Sequence, residues 1–179
     1  MDYHILNETF IFILDMVYFP LNILMLDGAR CPRGGPIHRT LRALIIDDNQ
    51  SDRAQVIREL GRAYLDLHVR QITGAQAFVE ALEGGNFDLV ITDHLLRWAD
   101  GMAILRAAKA KRPDGPVIMF TNTGSEELVV EAMKEGLDDY VRKMPQSFTR
   151  LLTAVQTAME RAESRRRTSH RETRLKILL

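Results

Sequence analysis

The sequence predicts an α/β fold: a doubly wound, five-stranded parallel sheet with helices on both faces. Three observations carry this. Short apolar runs recur five times along the chain, amphipathic stretches with helical spacing separate them, and turn formers punctuate the junctions. Apolar strands joined by helices of this length give βα units, whose parallel sheet needs cover on both faces. Right-handed crossovers then leave few topologies for about 120 residues.

The elements follow in order. Leu41–Ile46 is the first run and ends at Asp47-Asp48; a helix with Val56, Ile57 and Leu60 on one face succeeds it. Leu67–Ile72 is the second run, followed by Ala75, Phe78, Val79 and Leu82 at helical spacing and a stop at Gly84-Gly85. Residues 87–92 form the third run, ending at Asp93, and Ile104, Leu105 and Ala108 line the next helix before the breaker Pro113-Asp114-Gly115-Pro116. Residues 117–120 are the fourth run, ending at Thr121. Thr123 with Glu126 reads as a capping box for a helix presenting Leu128, Val129, Ala132 and Met133, closed by Gly136. Tyr140-Val141 is a weak fifth strand before Lys143. The last helix buries Phe148, Leu151, Leu152, Val155 and Met159.

Composition bounds the function. The chain has 179 residues, of which 46% are apolar and 27% charged, so it can bury a core and is no disordered tail. Its formal net charge is zero, which argues against a generally basic nucleic-acid binder. Cys31 is the single cysteine, so disulfide scaffolds and four-cysteine zinc sites are excluded and a reducing cytoplasm is expected. Residues 160–179 nevertheless hold seven bases against three acids, a net of +4.

The division expected is an N-terminal extension and linker over 1–40, one domain over 41–160 and a basic helical extension over 161–179. Residues 3–26 are apolar, but no Lys or Arg precedes Arg30 to make a signal peptide, and Glu8, Asp15, Pro20 and Asn22 interrupt any membrane span. Prolines and glycines at 31–36 read as a linker. Upstream extension, packed or dimerising helix, and weak membrane contact all stay open for residues 1–36. The basic end lacks aromatics and a recognition helix, so it reads as a solvated linker or short dimerising coil, and too few residues follow for an effector domain.

In doubly wound sheets ligands bind outside the carboxyl ends of the strands. That rule brings Asp47, Asp48, Asp93, Thr121 and Lys143 to one edge. Three crowded carboxylates repel unless a cation sits among them, and hard oxygen ligands favour Mg²⁺. A carboxylate there can attack phosphorus, with Lys143 neutralising transferring charge and Thr121 donating to a phosphoryl oxygen. His94 reads as a bystander, Trp98 with Arg97 as a cation–π patch, a partner contact or packing over the site, and Met102, Met119 and Met133 as core filler.

The order Asp-Asp, Asp, Thr, Lys at strand ends, with Asp100-Gly101 after Asp93 and Tyr140 before Lys143, resembles the CheY-like receiver domain of two-component response regulators over roughly residues 41–160. The resemblance implies the flavodoxin-like strand order 2-1-3-4-5. It implies Asp93 as acceptor of a phosphoryl group from a kinase phosphohistidine, and Mg²⁺ held by Asp47, Asp48, Asp93 and the Leu95 backbone carbonyl. Thr121 and Tyr140 are then the switch pair that remodels the surface of the fourth helix, fifth strand and fifth helix. The partners implied are a sensor histidine kinase or phosphotransfer protein and a downstream protein target, with a homodimer through the last helix also open. Such a protein acts by binding and is no classical enzyme.

Two residues depart from the pattern: Arg97 and Met144 stand where the family commonly has proline. Leu95 has no polar group to orient a water, which predicts slow self-dephosphorylation. Two rivals remain. A pseudo-receiver would be a phosphorylation-independent interaction module. A phosphohydrolase of the haloacid-dehalogenase type would want a second Asp at Leu95 and its acidic pair late in the chain.

Overall fold

The computed structural model describes residue 37 and residues 39–177, with side chains through residue 169. The readings made for residues 1–36, including the linker and Cys31, lie outside the described residues. So does any reading of the side chains of the last ten residues.

Among the described residues ten elements alternate: β1 (Leu41–Ile46), α1 (Gln50–Ala63), β2 (Leu67–Ile72), α2 (Ala75–Gly84), β3 (Leu89–Thr92), α3 (Gly101–Lys111), β4 (Val117–Thr121), α4 (Glu126–Lys134), β5 (Asp139–Arg142) and α5 (Phe148–Ile177). The strands form one parallel sheet in the order β2-β1-β3-β4-β5. The strand alternation sorts side chains between two cores. Leu41, Ala43 and Ile45 of β1, Leu89 and Ile91 of β3, and Ile118 and Phe120 of β4 pack with α1 and α5, where Val56, Leu60, Leu151 and Val155 are buried. Leu44, Ile46, Val90, Val117 and Met119 point the other way, into Phe78, Ile104, Leu105, Ala108 and Ala132 of α2, α3 and α4. Strands buried on both faces read as near-continuous apolar runs, which explains the legibility of β3, β4 and, apart from Arg42, β1. β2 is an edge strand whose His68 and Arg70 are exposed.

Several local expectations are corrected. β3 begins at Leu89, although Phe87 is buried. The Asp88 carboxylate there accepts from Arg42 N, Nε and Nη2, and the Asp88 N–H donates to Arg42 O, so this stretch joins β1 through a side chain. β5 extends one residue beyond each end of the expected pair. On α2 the buried face is Phe78 and Ala81; Val79 is half exposed. Gly85 ends that helix in the left-handed conformation, its N–H reaching the Ala81 and Leu82 carbonyls, as a helix C-terminus requires.

The cap of α4 is Ser125, whose hydroxyl accepts from Leu128 N at 3.3 Å; Thr123 lies too far upstream and turns to Thr121 instead. Met133 is exposed, so it is surface, whereas Met102 and Met119 are core. Trp98 packs beside the Phe78 ring, with centroids 6.0 Å apart, and so closes the β3–α3 loop over α2.

α5 is one continuous helix whose core contacts run to Ala162. Arg165 then bonds Asp138 Oδ1 at 3.1 Å. Asp138 is nearly buried and also takes Lys109 Nζ at 2.7 Å and Val117 N at 3.0 Å, which ties α3, β4 and α5 at the edge opposite the carboxyl ends. Among the described residues no helix is long and apolar enough to cross a membrane.

Candidate functional site

The parallel register sets the site. Ile46 pairs with Thr92, Thr92 with Met119, and Thr121 with Arg142, so four strands end side by side and the next residues share one edge. Backbone bonds continue the ladders past the strands: Asp93 N donates to Ile46 O at 2.8 Å and Lys143 N to Thr121 O at 2.9 Å.

Lys143 occupies the centre. Its Nζ lies 2.6 Å from Asp47 Oδ2, 2.7 Å from Asp93 Oδ2 and 2.9 Å from Asp52 Oδ2, and its side chain is 8% exposed. An ammonium has three N–H donors, and all three are engaged. The cation expected among the acids is therefore supplied in this structure by the chain itself. Burial alone would weaken Lys143's hold on its proton; its bonds to Asp47, Asp52 and Asp93 reverse that and raise it above the ordinary lysine range. Burial raises Asp47 above the usual carboxylate range despite the opposing bond from Lys143.

The other acids are set by the loops. Asp47 Oδ1 accepts from Asn49 N at 2.8 Å, and the buried Arg53 donates Nη1 to Asp47 O at 2.8 Å and Nε to Gln71 Oε1 at 2.9 Å. Asp48 Oδ2 accepts from Arg97 N at 2.5 Å, with Arg97 Nε at 3.4 Å. A proline at 97 could not make the first of these bonds, so this departure from the family pattern links the β1–α1 and β3–α3 loops. Asp48 Oδ1 is buried without a hydrogen-bond partner among the described residues. A buried, unpaired carboxylate oxygen is costly, and a hard cation satisfies it. As they stand, no three acidic, His or Cys side chains among the described residues are arranged to ligate a metal. Three of the carboxylates are turned to the ammonium instead.

Leu95 forms an antiparallel bridge with Asp100 through Gly101 N to His94 O and Leu96 N to Ala99 O. In this pairing the N–H and C=O of the central residue both point away from the partner. The Leu95 N–H lies 3.4 Å from Asp93 Oδ1, so the Leu95 carbonyl faces the same side. Gly101 makes this turn possible: a Cβ there would lie 2.7 Å from Asp93 O and 2.8 Å from His94 Cα.

Thr121 is fully buried; its Oγ1 accepts from Thr123 N at 3.2 Å and lies 3.3 Å from Thr123 Oγ1. Tyr140 donates its hydroxyl to Thr123 O at 2.8 Å, so both side chains meet the β4–α4 loop at one residue. Burial, with a smaller contribution from the Asp93 charge, raises the Tyr140 hydroxyl above its ordinary range against the pull of Arg142.

Asp47, Asp93 and Lys143 are thus in direct contact; Asp48 is tied to Arg97, and Thr121 and Tyr140 meet at Thr123, but among the described residues neither pair has a side-chain hydrogen bond to the other three. Sequence reasoning missed Asp52 and Arg53. The available signal was their position in the first turn of α1, directly above the Asp47-Asp48 corner. His94 makes no hydrogen bond through Nδ1, which is buried 3.4 Å from Asp100 Oδ1. Trp98 faces Phe78, not Arg97.

Comparison with known proteins bears on the family and the fold. A family model described as the response regulator receiver domain matches residues 43–156. The transcriptional regulatory protein FixJ of Bradyrhizobium diazoefficiens is 37% identical over 89 residues, covering 50% of this chain and 43% of that protein. The response regulator protein PilR of Pseudomonas aeruginosa is 33% identical over 118 residues, covering 66% of this chain and 26% of its own length. A response regulator receiver domain from Clostridium thermocellum is 30% identical with a TM-score of 0.61, covering 69% of this chain and 97% of that one. The beryllofluoride-activated DrrB receiver domain is 26% identical with a TM-score of 0.60, covering 68% and 99%. The chain spans less than half the length of these curated relatives. With five parallel strands in this order and the matching stretch covering most of the described residues, the chain belongs to the response regulator receiver domain family of two-component signalling.

Proposed function

We propose that the chain is switched by phosphorylation of Asp93, taking the phosphoryl group from the phosphohistidine of a sensor histidine kinase or phosphotransfer protein. The observation that carries this reading is the Lys143 ammonium on Asp47 and Asp93, beside an Asp48 oxygen that is buried and unpaired. Asp93 is the acceptor because it ends the central strand and is more open than Asp47, with 17% of its side chain exposed against 8%. In the transfer an Asp93 oxygen forms the new bond to phosphorus as the P–N bond to imidazole breaks, the electron pair leaving with nitrogen. Lys143 neutralises charge on the phosphoryl oxygens, and Thr121 donates its hydroxyl to one of them after turning from Thr123.

Asp47, Asp48, Asp93 and the Leu95 carbonyl are the oxygens that would hold Mg²⁺, and the orphaned Asp48 oxygen fits that role. Bound Mg²⁺ supplies positive charge that screens the acids from the incoming phosphate. Thr121 movement breaks its contact with Thr123, and Tyr140 shares that residue's carbonyl, so the two move together and reshape α4, β5 and α5 for a downstream protein target. Residues 41–160 form the receiver, 1–40 an extension and linker, and 161–179 a basic helical extension that could pair two copies. The site is cytoplasmic and acts by binding, with no turnover of a separate substrate.

Beryllofluoride with Mg²⁺, read by Trp98 fluorescence or hydrogen exchange, tests the reading. A shift in the wild type that Asp93→Asn abolishes supports it. Silence in both proteins overturns it in favour of a constitutive interaction module. Multiple turnover of a phosphate monoester overturns it in favour of a hydrolase.

A further inference from the structure

We infer that Asp52 is a brake on this site: it competes with the phosphoryl group for Lys143 and so sets how readily the switched state forms. The inference rests on the phosphoacceptor reading of Asp93 and adds a residue to it.

The ammonium has no spare donor, because Asp47, Asp93 and Asp52 use all three. A phosphoryl oxygen can gain Lys143 only as one of these bonds loosens. Asp47 is poorly placed to yield. Its side chain is 8% exposed, its other oxygen is fixed to Asn49 N, and release would strand a buried charge. Asp93 is the carrier itself, held at the end of β3. Asp52 differs from both. It stands in the first turn of α1 with 26% of its side chain exposed, and among the described residues it makes no second hydrogen bond.

Its carboxylate can swing into water at little cost, yet while in place it acts twice against phosphorylation. It draws the ammonium toward α1, and its negative charge repels the incoming phosphate, which brings nearly two negative charges of its own. Neutralising Asp52 therefore frees Lys143 and tightens the phosphorylated state. A residue needed only to hold Lys143 in place would, when removed, weaken that state.

The test is the apparent affinity for beryllofluoride of the wild type, Asp52→Asn and Asp52→Glu, by Trp98 fluorescence at Mg²⁺ concentrations shown to saturate each protein. Urea midpoints establish that all three are folded. Asp52→Asn is expected to bind about threefold or more tighter, the scale of losing one partly exposed ion pair. Asp52→Glu, which restores the charge, is expected to stay within about twofold of the wild type by the same reasoning. Unchanged or weaker binding by Asp52→Asn in a responsive wild type overturns the role of Asp52 and leaves Asp93 as acceptor. Equal tightening by Asp52→Glu also overturns it, since charge would then not be the cause. No response from any of the three removes the phosphoacceptor reading, and the brake with it.

Discussion

Replacing Lys143 by methionine tests how the acidic edge is held together. Methionine keeps an unbranched apolar stem beside Phe120, over whose ring Lys143 Nζ lies at 5.9 Å, and removes the charge with its three N–H donors. Asp47 and Lys143 are each 8% exposed, and losing one partner of such a pair costs roughly 3–5 kcal/mol. Asp52 and Asp93 are better solvated and recover part of the loss from water, so about 3 kcal/mol is expected at pH 7.5. With a urea slope of about 1.5–2 kcal/mol per molar, the midpoint falls by roughly 1.5–2 M.

The pH dependence gives a second reading. Asp47 is already raised in the folded state by burial, and loss of the ammonium raises it further. A carboxyl raised on folding binds its proton more readily in the native state, so stability increases as pH falls through that folded value. Lys143 works in the opposite sense in the wild type. Its raised value contributes stability that persists throughout neutral pH and is lost only as the solution becomes strongly alkaline. The deficit of Lys143→Met should therefore shrink between pH 7.5 and pH 5. A midpoint loss below about 0.5 M at pH 7.5, or an equal loss at both pH values, would refute a buried charge cluster centred on Lys143.

Four further outcomes are expected. Ser125→Ala should cost about 1 kcal/mol in thermal unfolding by removing the α4 cap, while Thr123→Ala leaves that cap intact; equal losses would reinstate Thr123. Gly101→Ala drives a Cβ into the backbone of Asp93 and His94 and should cost about 1–3 kcal/mol by urea unfolding, where an unchanged midpoint would contradict the tight β3–α3 turn. Lys109→Met strands the nearly buried Asp138 and should cost roughly 3 kcal/mol, whereas Arg165→Ala, at the 41% exposed end of the same network, should cost under about 1 kcal/mol; the reverse order by urea titration would misplace the anchor. Leu95→Asn puts a polar side chain beside Asp93 and should speed loss of phosphate from the phosphorylated protein, timed on Phos-tag gels; an unaltered rate would detach Leu95 from that step.

The fold was legible because both faces of the sheet are covered. β3 and β4 carry unbroken apolar runs and β1 one interrupted only by Arg42, and the polar residue after each run lies at one sheet edge. Boundaries were harder where a side chain adds to backbone pairing, as the Asp88 carboxylate does at Arg42 ahead of β3. The α4 cap was misread because Ser125, Thr123 and Thr121 are all hydroxyl residues, and only the loop geometry decides which hydroxyl faces the helix. Asp47, Asp93 and Lys143 could be placed together because each directly follows a strand. Asp52 could not, because a residue in a first helical turn reaches the edge only if the helix axis tilts its side chain inward. The N–H of Arg97 was invisible for another reason: sequence patterns report side chains, whereas this contact belongs to the backbone.

The caged ammonium also bears on how the protein survives without metal. Domains whose acidic or thiolate clusters depend on a bound ion unfold in chelator, since metal binding is then part of their folding energy. Here an internal counter-ion is built in at Lys143, so the acidic edge is neutralised by the chain's own charge and the fold is expected to survive chelation. If Mg²⁺ acts at this edge as proposed, cells poor in magnesium would hold a folded but unresponsive pool, ready to act once the ion returns.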